Sequence, residues 1–246
     1  DYGNATERVT ALALNTKADA AVRASSLTAM AALKAPKLTD AINIGLASDS
    51  PRLRMAAREA ILSPASSIKQ IQWASRAGTL IEKQHAIALA GRINDKQSGT
   101  LMSTWLSALV EGKSPAELAL DIYIAASKHK TTSETAKKFA AALPAERGGI
   151  LSLALHGGDP EKGEEVFHTS ITGQCVRCHR VGNRDSTGIA VAEVGPELTG
   201  VGSRRDREYL LRSLFNPSAD ITERLFALAA HPRSDPRSFL QPPPQS

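Results

Sequence analysis

Two thiols and an imidazole stand together in Cys175-Val176-Arg177-Cys178-His179, and no other cysteine occurs in the 246 residues. This spacing can support three kinds of chemistry. A Cys-x-x-Cys pair can cycle between dithiol and disulfide, but such pairs belong to a strand–helix–strand setting, and the flanks here read as helix and turn. The same residues can form part of a zinc site, which then needs a fourth ligand from outside the cysteines. With the histidine directly following, the pentapeptide is also a haem-attachment signal: two thiols one turn apart can each bond a vinyl group on one haem edge, and the imidazole follows as an axial iron ligand. The third reading, a covalent haem c held by Cys175, Cys178 and His179, accounts for all three residues.

The flanking sequence carries further motifs. Gly195-Pro196-Glu197-Leu198-Thr199-Gly200 follows the histidine, and Asp159-Pro160-Glu161-Lys162-Gly163-Glu164-Glu165-Val166-Phe167 precedes the pentapeptide. Downstream, Ser203 can cap a helix whose third residue is Asp206 and which runs through Tyr209, Leu210, Leu211 and Leu214 to Asn216-Pro217. The Gly-Pro segment resembles that of class I c-type cytochromes. Taken together, the motifs from 158 to about 222 are similar to the haem-binding domain of Planctomycetes and Verrucomicrobia, which often follows HEAT-like repeats and a sugar-dehydrogenase-like β-propeller. The resemblance implies that the Pro196 carbonyl accepts the N–H of the proximal His179 and that Leu198 packs on the haem. It also implies electron transfer to or from a partner dehydrogenase, in a periplasmic or otherwise extracytoplasmic location.

The resemblance then ends. The family continues with a strand-rich insertion, a methionine that is the distal iron ligand, and a closing helix. Here Ile221-Thr222-Glu223-Arg224-Leu225 leads into a Pro-rich stretch, and Met30, Met55 and Met102 all lie before the haem motif. The expectation is therefore a C-terminally truncated domain whose distal position is water-occupied or weakly held. His231, the one histidine after the motif, is the candidate distal ligand. The apolar haem face left by the missing helix favours self-association. An iron without a sixth ligand would bind small ligands or react with peroxide, although no Arg-His pair is placed in sequence to assist that reaction. A HEAT scaffold with a zinc knot and no haem is the third alternative.

Whatever sits at residues 175–179 has to be positioned by the rest of the chain. Composition sets the frame: aromatic residues are 4 % and Ala and Leu abound, which favours packed helices over sheets. Apolar residues recur at helical spacing in residues 9–14 and 22–30. Start signals stand at Ser50-Pro51, at Ser114-Pro115-Ala116-Glu117 and at Thr131-Thr132-Ser133-Glu134, the last two reading as capping boxes. Val22-Arg23 is echoed by Leu53-Arg54, and Arg54-Met55-Ala56-Ala57 by Gln84-His85-Ala86-Ile87, a period near 30. Asp19-Ala20-Ala21-Val22-Arg23 and Ser50-Pro51-Arg52-Leu53-Arg54 resemble HEAT repeats, with an irregular helical bundle as the alternative. The expected fold is all-α: a HEAT-like α-solenoid over 1–155, a small cytochrome c domain over 156–226, entered through the turn His156-Gly157-Gly158-Asp159-Pro160, and a disordered Pro/Ser-rich tail over 227–246.

Charge and hydropathy narrow the partners. Residues 1–155 carry 19 Lys and Arg against 13 Asp and Glu, whereas the remainder carries 11 against 12. The basic excess suits an acidic protein partner. The positive charges are spread out with few aromatics between them, so nucleic acid is not expected to be a partner. No apolar run approaches a membrane span. The chain begins with Asp rather than Met, which reads as a processed or excised fragment. Of the other histidines, His168 lies beside the aromatic of the Val-Phe motif, His156 is a loop residue, and His85 and His129 are expected to be structural or solvated.

Overall fold

A computed structural model describes residues 2–61, 64–145, 148–182 and 195–217. The chain is all-helical, with no strand among the described residues. Contacts divide it into two compact units, residues 1–166 and 167–246.

In the first unit the described residues form, in chain order, α1 (Tyr2–Leu14), α2 (Ala20–Leu33), α3 (Leu38–Leu46), α4 (Pro51–Glu59), α5 (Pro64–Ala77), α6 (Leu80–Arg92), α7 (Lys96–Val110), α8 (Ala119–Lys128) and α9 (Ser133–Ala142). The even-numbered helices make a continuous row, α2 against α4, α4 against α6 and α6 against α8. The odd-numbered helices flank this row, each packed on an even-numbered neighbour in sequence. The starts of the row lie at residues 20, 51, 80 and 119. The repeat thus holds near 30 residues twice and stretches to about 40 at the last step. The extra length is the long α7 and a 3-10 turn, Ala116–Leu118, inserted before α8.

The echo Val22-Arg23 and Leu53-Arg54 has a physical counterpart. Arg23 is buried and its Nε donates to the Ala13 carbonyl at the end of α1 (3.3 Å). Arg54 donates from Nη1 to the Ser48 carbonyl just past α3 (2.7 Å). In each pair the guanidinium of the second helix satisfies carbonyl groups at the C-terminal end of the first, where the helix dipole also favours a cation. Small residues let the row close up. At Gly91 an added Cβ would lie 2.8 Å from that of Ala125, so α6 and α8 meet almost backbone to backbone. Three apolar clusters fill the unit, centred on Leu27, Met30 and Leu53, on Ile68, Ile71 and Ala86, and on Met102, Leu106 and Ile122; Trp105 packs against the last two.

Two of the three expected start signals work differently. Ser50 does cap α4, accepting from the Leu53 amide at 3.4 Å. Ser114, however, precedes a 3-10 turn, and its hydroxyl donates weakly to the Pro115 carbonyl. Thr132 turns its hydroxyl inward to the buried Ala126 carbonyl (2.8 Å), leaving Glu134 to pair with Lys137 on the surface. Tertiary packing supplied better partners than the local boxes. The reciprocal pair forms instead at α6, where the Thr79 amide and hydroxyl both donate to Glu82 (3.0 Å each).

That carboxylate is also the hub of a buried ion network. Arg54 binds it bidentately (2.8 and 2.7 Å) and Arg58, itself buried, binds Oε1 at 2.7 Å. Burial opposes ionisation of Glu82, but the hydrogen bonds from Arg54, Arg58 and Thr79 outweigh it and hold the carboxyl well below the usual carboxylate range.

After α9 the chain makes a 3-10 stretch, Gly149–Leu155, that packs on α8 and α9. At Gly157 (φ +80°) an added Cβ would lie 2.3 Å from the Glu117 carbonyl oxygen, so the expected turn is held against this unit. These contacts carry the first unit past residue 156, and the division falls inside the next helix, α10 (Pro160–Thr169), which Asp159 caps. A fragment ending at Val166 is expected to be helical and to melt cooperatively, because its three clusters are internal to it. Circular dichroism of that fragment checks this; a coil spectrum would show dependence on the second unit.

No helix among the described residues is long and apolar enough to cross a membrane.

Candidate functional site

The second unit contains the end of α10, a 3-10 turn Cys175–Arg177, α11 (Val201–Arg204) and α12 (Arg207–Phe215). Gln174 enters the turn in the left-handed region (φ +45°), reversing the chain after α10. The Cys178 and His179 amides both donate to the Cys175 carbonyl (3.2 and 2.9 Å). This single turn puts the two cysteines one turn apart with the histidine next to the second. Both cysteines are free thiols, Cys175 half-buried and Cys178 exposed.

His179 Nδ1 lies 2.8 Å from the Pro196 carbonyl oxygen. A carbonyl only accepts, so Nδ1 carries the proton and Nε2 keeps its lone pair for a metal. The segment 195–198 is pinned in this position by two backbone bonds, Gly195 N–H to the Cys178 carbonyl (2.9 Å) and Leu198 N–H to the Arg180 carbonyl (2.8 Å). Gly195 is required by close approach: an added Cβ would lie 2.7 Å from His179 Cε1 and 2.8 Å from the Cys178 oxygen. Cys175, Cys178, His179 and Pro196 are therefore brought into one small constellation. Leu198 joins it through its amide, with its side chain half-buried.

Two further residues hold the loop, and the motif reading passes over both. The Thr199 hydroxyl accepts from the Gly182 amide. Arg204, on α11, donates to the Thr199 carbonyl (2.6 Å) and the Glu197 carbonyl (3.1 Å). It thereby braces the stretch just after Pro196, whose oxygen orients the imidazole. Nothing in the sequence distinguishes it from its neighbour Arg205, which lies over the Tyr209 ring.

The described part of this unit has no buried side chain. Phe167, Val176, Leu198, Val201, Leu210 and Leu211 are half-buried, and Ile171 and Leu214 are 87 % and 79 % exposed. A unit of this size gains little from its own core and ordinarily needs a disulfide, a metal or a cofactor. A large apolar group beside Cys175–His179 would supply what these side chains lack. The donor set, two free thiols and an imidazole with its Nδ1 proton already engaged, fits haem c. Among the described residues no three His, Cys, Asp or Glu side chains converge as a metal-binding group.

The remaining expectations are placed as follows. Asp206, not Ser203, caps the helix after the loop, accepting from the Tyr209 amide at 2.7 Å; Ser203 sits inside α11 and bonds the Gly200 carbonyl. α12 ends at Phe215 with Asn216 as its cap. His168 is exposed with its ring edge-on to Phe167. His231 lies outside the described residues. His129 is buried, with Nδ1 accepting from the Thr131 amide (3.2 Å) and Nε2 3.0 Å from the Ile93 carbonyl, a structural tie between loops. His85 lies 3.4 Å from Glu59, which also holds Arg92; burial pushes the His85 pKa down despite that carboxylate.

No family model matches the chain, and no curated protein or solved structure is significantly similar to it.

Proposed function

We propose that the second unit is a cytochrome c-type domain that binds one covalent haem c through Cys175, Cys178 and His179 and passes electrons to a partner protein or dehydrogenase domain. The observation that carries the reading is the 2.8 Å bond between His179 Nδ1 and the Pro196 carbonyl, which fixes the ring tautomer beside a ready thiol pair. Each thiol would add across one vinyl group, its hydrogen passing to the vinyl carbon, so attachment needs no oxidant. Bound haem supplies a one-electron couple at its iron. His179 would hold the iron through Nε2, and the Pro196 carbonyl would raise the basicity of that donor. Leu198 and the half-buried side chains around it would exclude water from the haem.

On this reading the first unit is a HEAT-like scaffold, supported by the row of even-numbered helices and the Arg23 and Arg54 ties. Its basic excess suits an acidic redox partner. Covalent haem attachment on the outer side of the membrane would make the protein periplasmic or otherwise extracytoplasmic.

Within these 246 residues the distal position is expected to be open or weakly held: no methionine of this stretch follows His179, Met30 and Met102 are fully buried in the cores of the first unit, and Met55 is half-buried on α4. Export of the chain together with a haem-attachment system, followed by absorption and EPR spectroscopy, tests both points. A Soret band with a high-spin ferric signal that turns low-spin on adding imidazole is the expected result. A chain without a Soret band would leave the scaffold with bare thiols. A low-spin signal lost in His231→Ala would assign the sixth ligand to that histidine.

A further inference from the structure

The first unit carries a half-open cavity of about 200 Å3 that the redox reading does not use. Its walls come from α5, α6, α7 and α8 and the loop before the last of these, with Ile87, Trp105, Leu118 and Ile122 as the apolar surface. Ile87, Leu118 and Ile122 are buried, and Trp105 is half-buried between two core clusters. A cavity of about 150 Å3 already accepts a benzene ring, so this one suits one or two fused rings. The indole offers a face for stacking.

Two lysines, Lys83 and Lys113, also line the cavity. Lys113 is paired with Glu111 at 2.7 Å. Lys83 is half-buried, and among the described residues no carboxylate lies within ion-pair distance of it. A partly desolvated ammonium beside an apolar cavity is complemented by a single negative charge on an apolar body. Among the described residues Ser75 and Ser114 are the hydroxyl side chains in the lining, and no arginine lines it. That is too few donors for a phosphate and sufficient for a carboxylate. We propose that this cavity is a binding site for a small aryl carboxylate, with the ring against Trp105 and the carboxylate on Lys83.

The test uses the full chain with Trp73→Phe, which leaves Trp105 as the one tryptophan. Titration with 2-naphthoate should quench its fluorescence saturably, and naphthalene-2-methanol, its neutral counterpart, should bind at least about tenfold more weakly. Salt at about 0.5 M should weaken the acid and leave the alcohol unchanged. Lys83→Met should lose at least about tenfold in affinity for the acid alone while keeping the wild-type melting midpoint, because it removes a charge and no core contact. Ala108→Phe, which fills the cavity, should abolish binding of both. Absence of saturable quenching in the folded protein, equal affinity for acid and alcohol, or unchanged affinity in Lys83→Met would each overturn the proposal.

Discussion

Cys175→Ala combined with Cys178→Ala is expected to abolish haem retention: after export with a haem-attachment system and extraction in acidified acetone, the wild-type polypeptide keeps its haem and the double variant keeps none. The reason lies in where the bonds are. With both thioethers absent, the haem is held by His179 Nε2 and by apolar contact with side chains that are only half-buried. Acid protonates the imidazole and acetone dissolves the haem, so neither attachment survives the extraction. Each single variant should keep a reduced amount, since one thioether suffices to resist the solvent. Haem released from the wild-type chain, or retained in the double variant, would remove the covalent site. Pro196 enters the same experiment differently, because its carbonyl belongs to the backbone and a side-chain substitution leaves the acceptor in place. Gly195→Val is the more damaging change, since its Cβ would press on the imidazole and the Cys178 carbonyl, and it should lower haem loading with both thiols intact.

Glu82→Ala should be the most destabilising single change in the first unit, by about 3–5 kcal/mol. It strips both Arg54 and Arg58 of their counter-ion, and Arg58 is 1 % exposed, so its charge stays buried without compensation. In a unit of this size the loss corresponds to a fall in melting midpoint of roughly 6–20 °C. Glu134→Ala removes an ion pair of similar length on the exposed face of α9 and should leave the midpoint unchanged. The pH dependence follows from the direction of the shift. The carboxyl of Glu82 is held below its unfolded value, so the network contributes fully above the ordinary glutamate pKa of about 4.3, and this contribution drains away as the pH falls toward the folded value. Denaturant titrations of the fragment ending at Val166 from pH 7 down to about pH 3 should show wild type losing stability faster than Glu82→Gln, which has no such proton to take up. Parallel slopes would mean that the ion network is not what acid disrupts.

The sequence by itself determined the features that depend on short separations. Cys175, Cys178 and His179 meet because five consecutive residues form one turn, and the Ser50 cap of α4 spans three residues. The all-helical character follows from composition and period, which every stretch of the first unit shares. The Pro196 carbonyl lies seventeen residues from His179, yet it was legible because the Gly-Pro segment resembles a known arrangement in which that distance is closed. Longer reaches were decided by tertiary structure alone. Glu82 belongs locally to the cap it forms with Thr79, but packing also brings Arg54 and Arg58 to it across separations of 28 and 24 residues. The same packing turned the hydroxyl of Thr132, the residue just before α9, onto the Ala126 carbonyl. Arg204 became the brace of the His179 loop because a four-residue helix carries its guanidinium back over two carbonyls. For Glu82 and Thr132 a buried polar group had to find a partner, and the partner it found was the one that folding placed within about 3 Å, whatever the spacing along the chain.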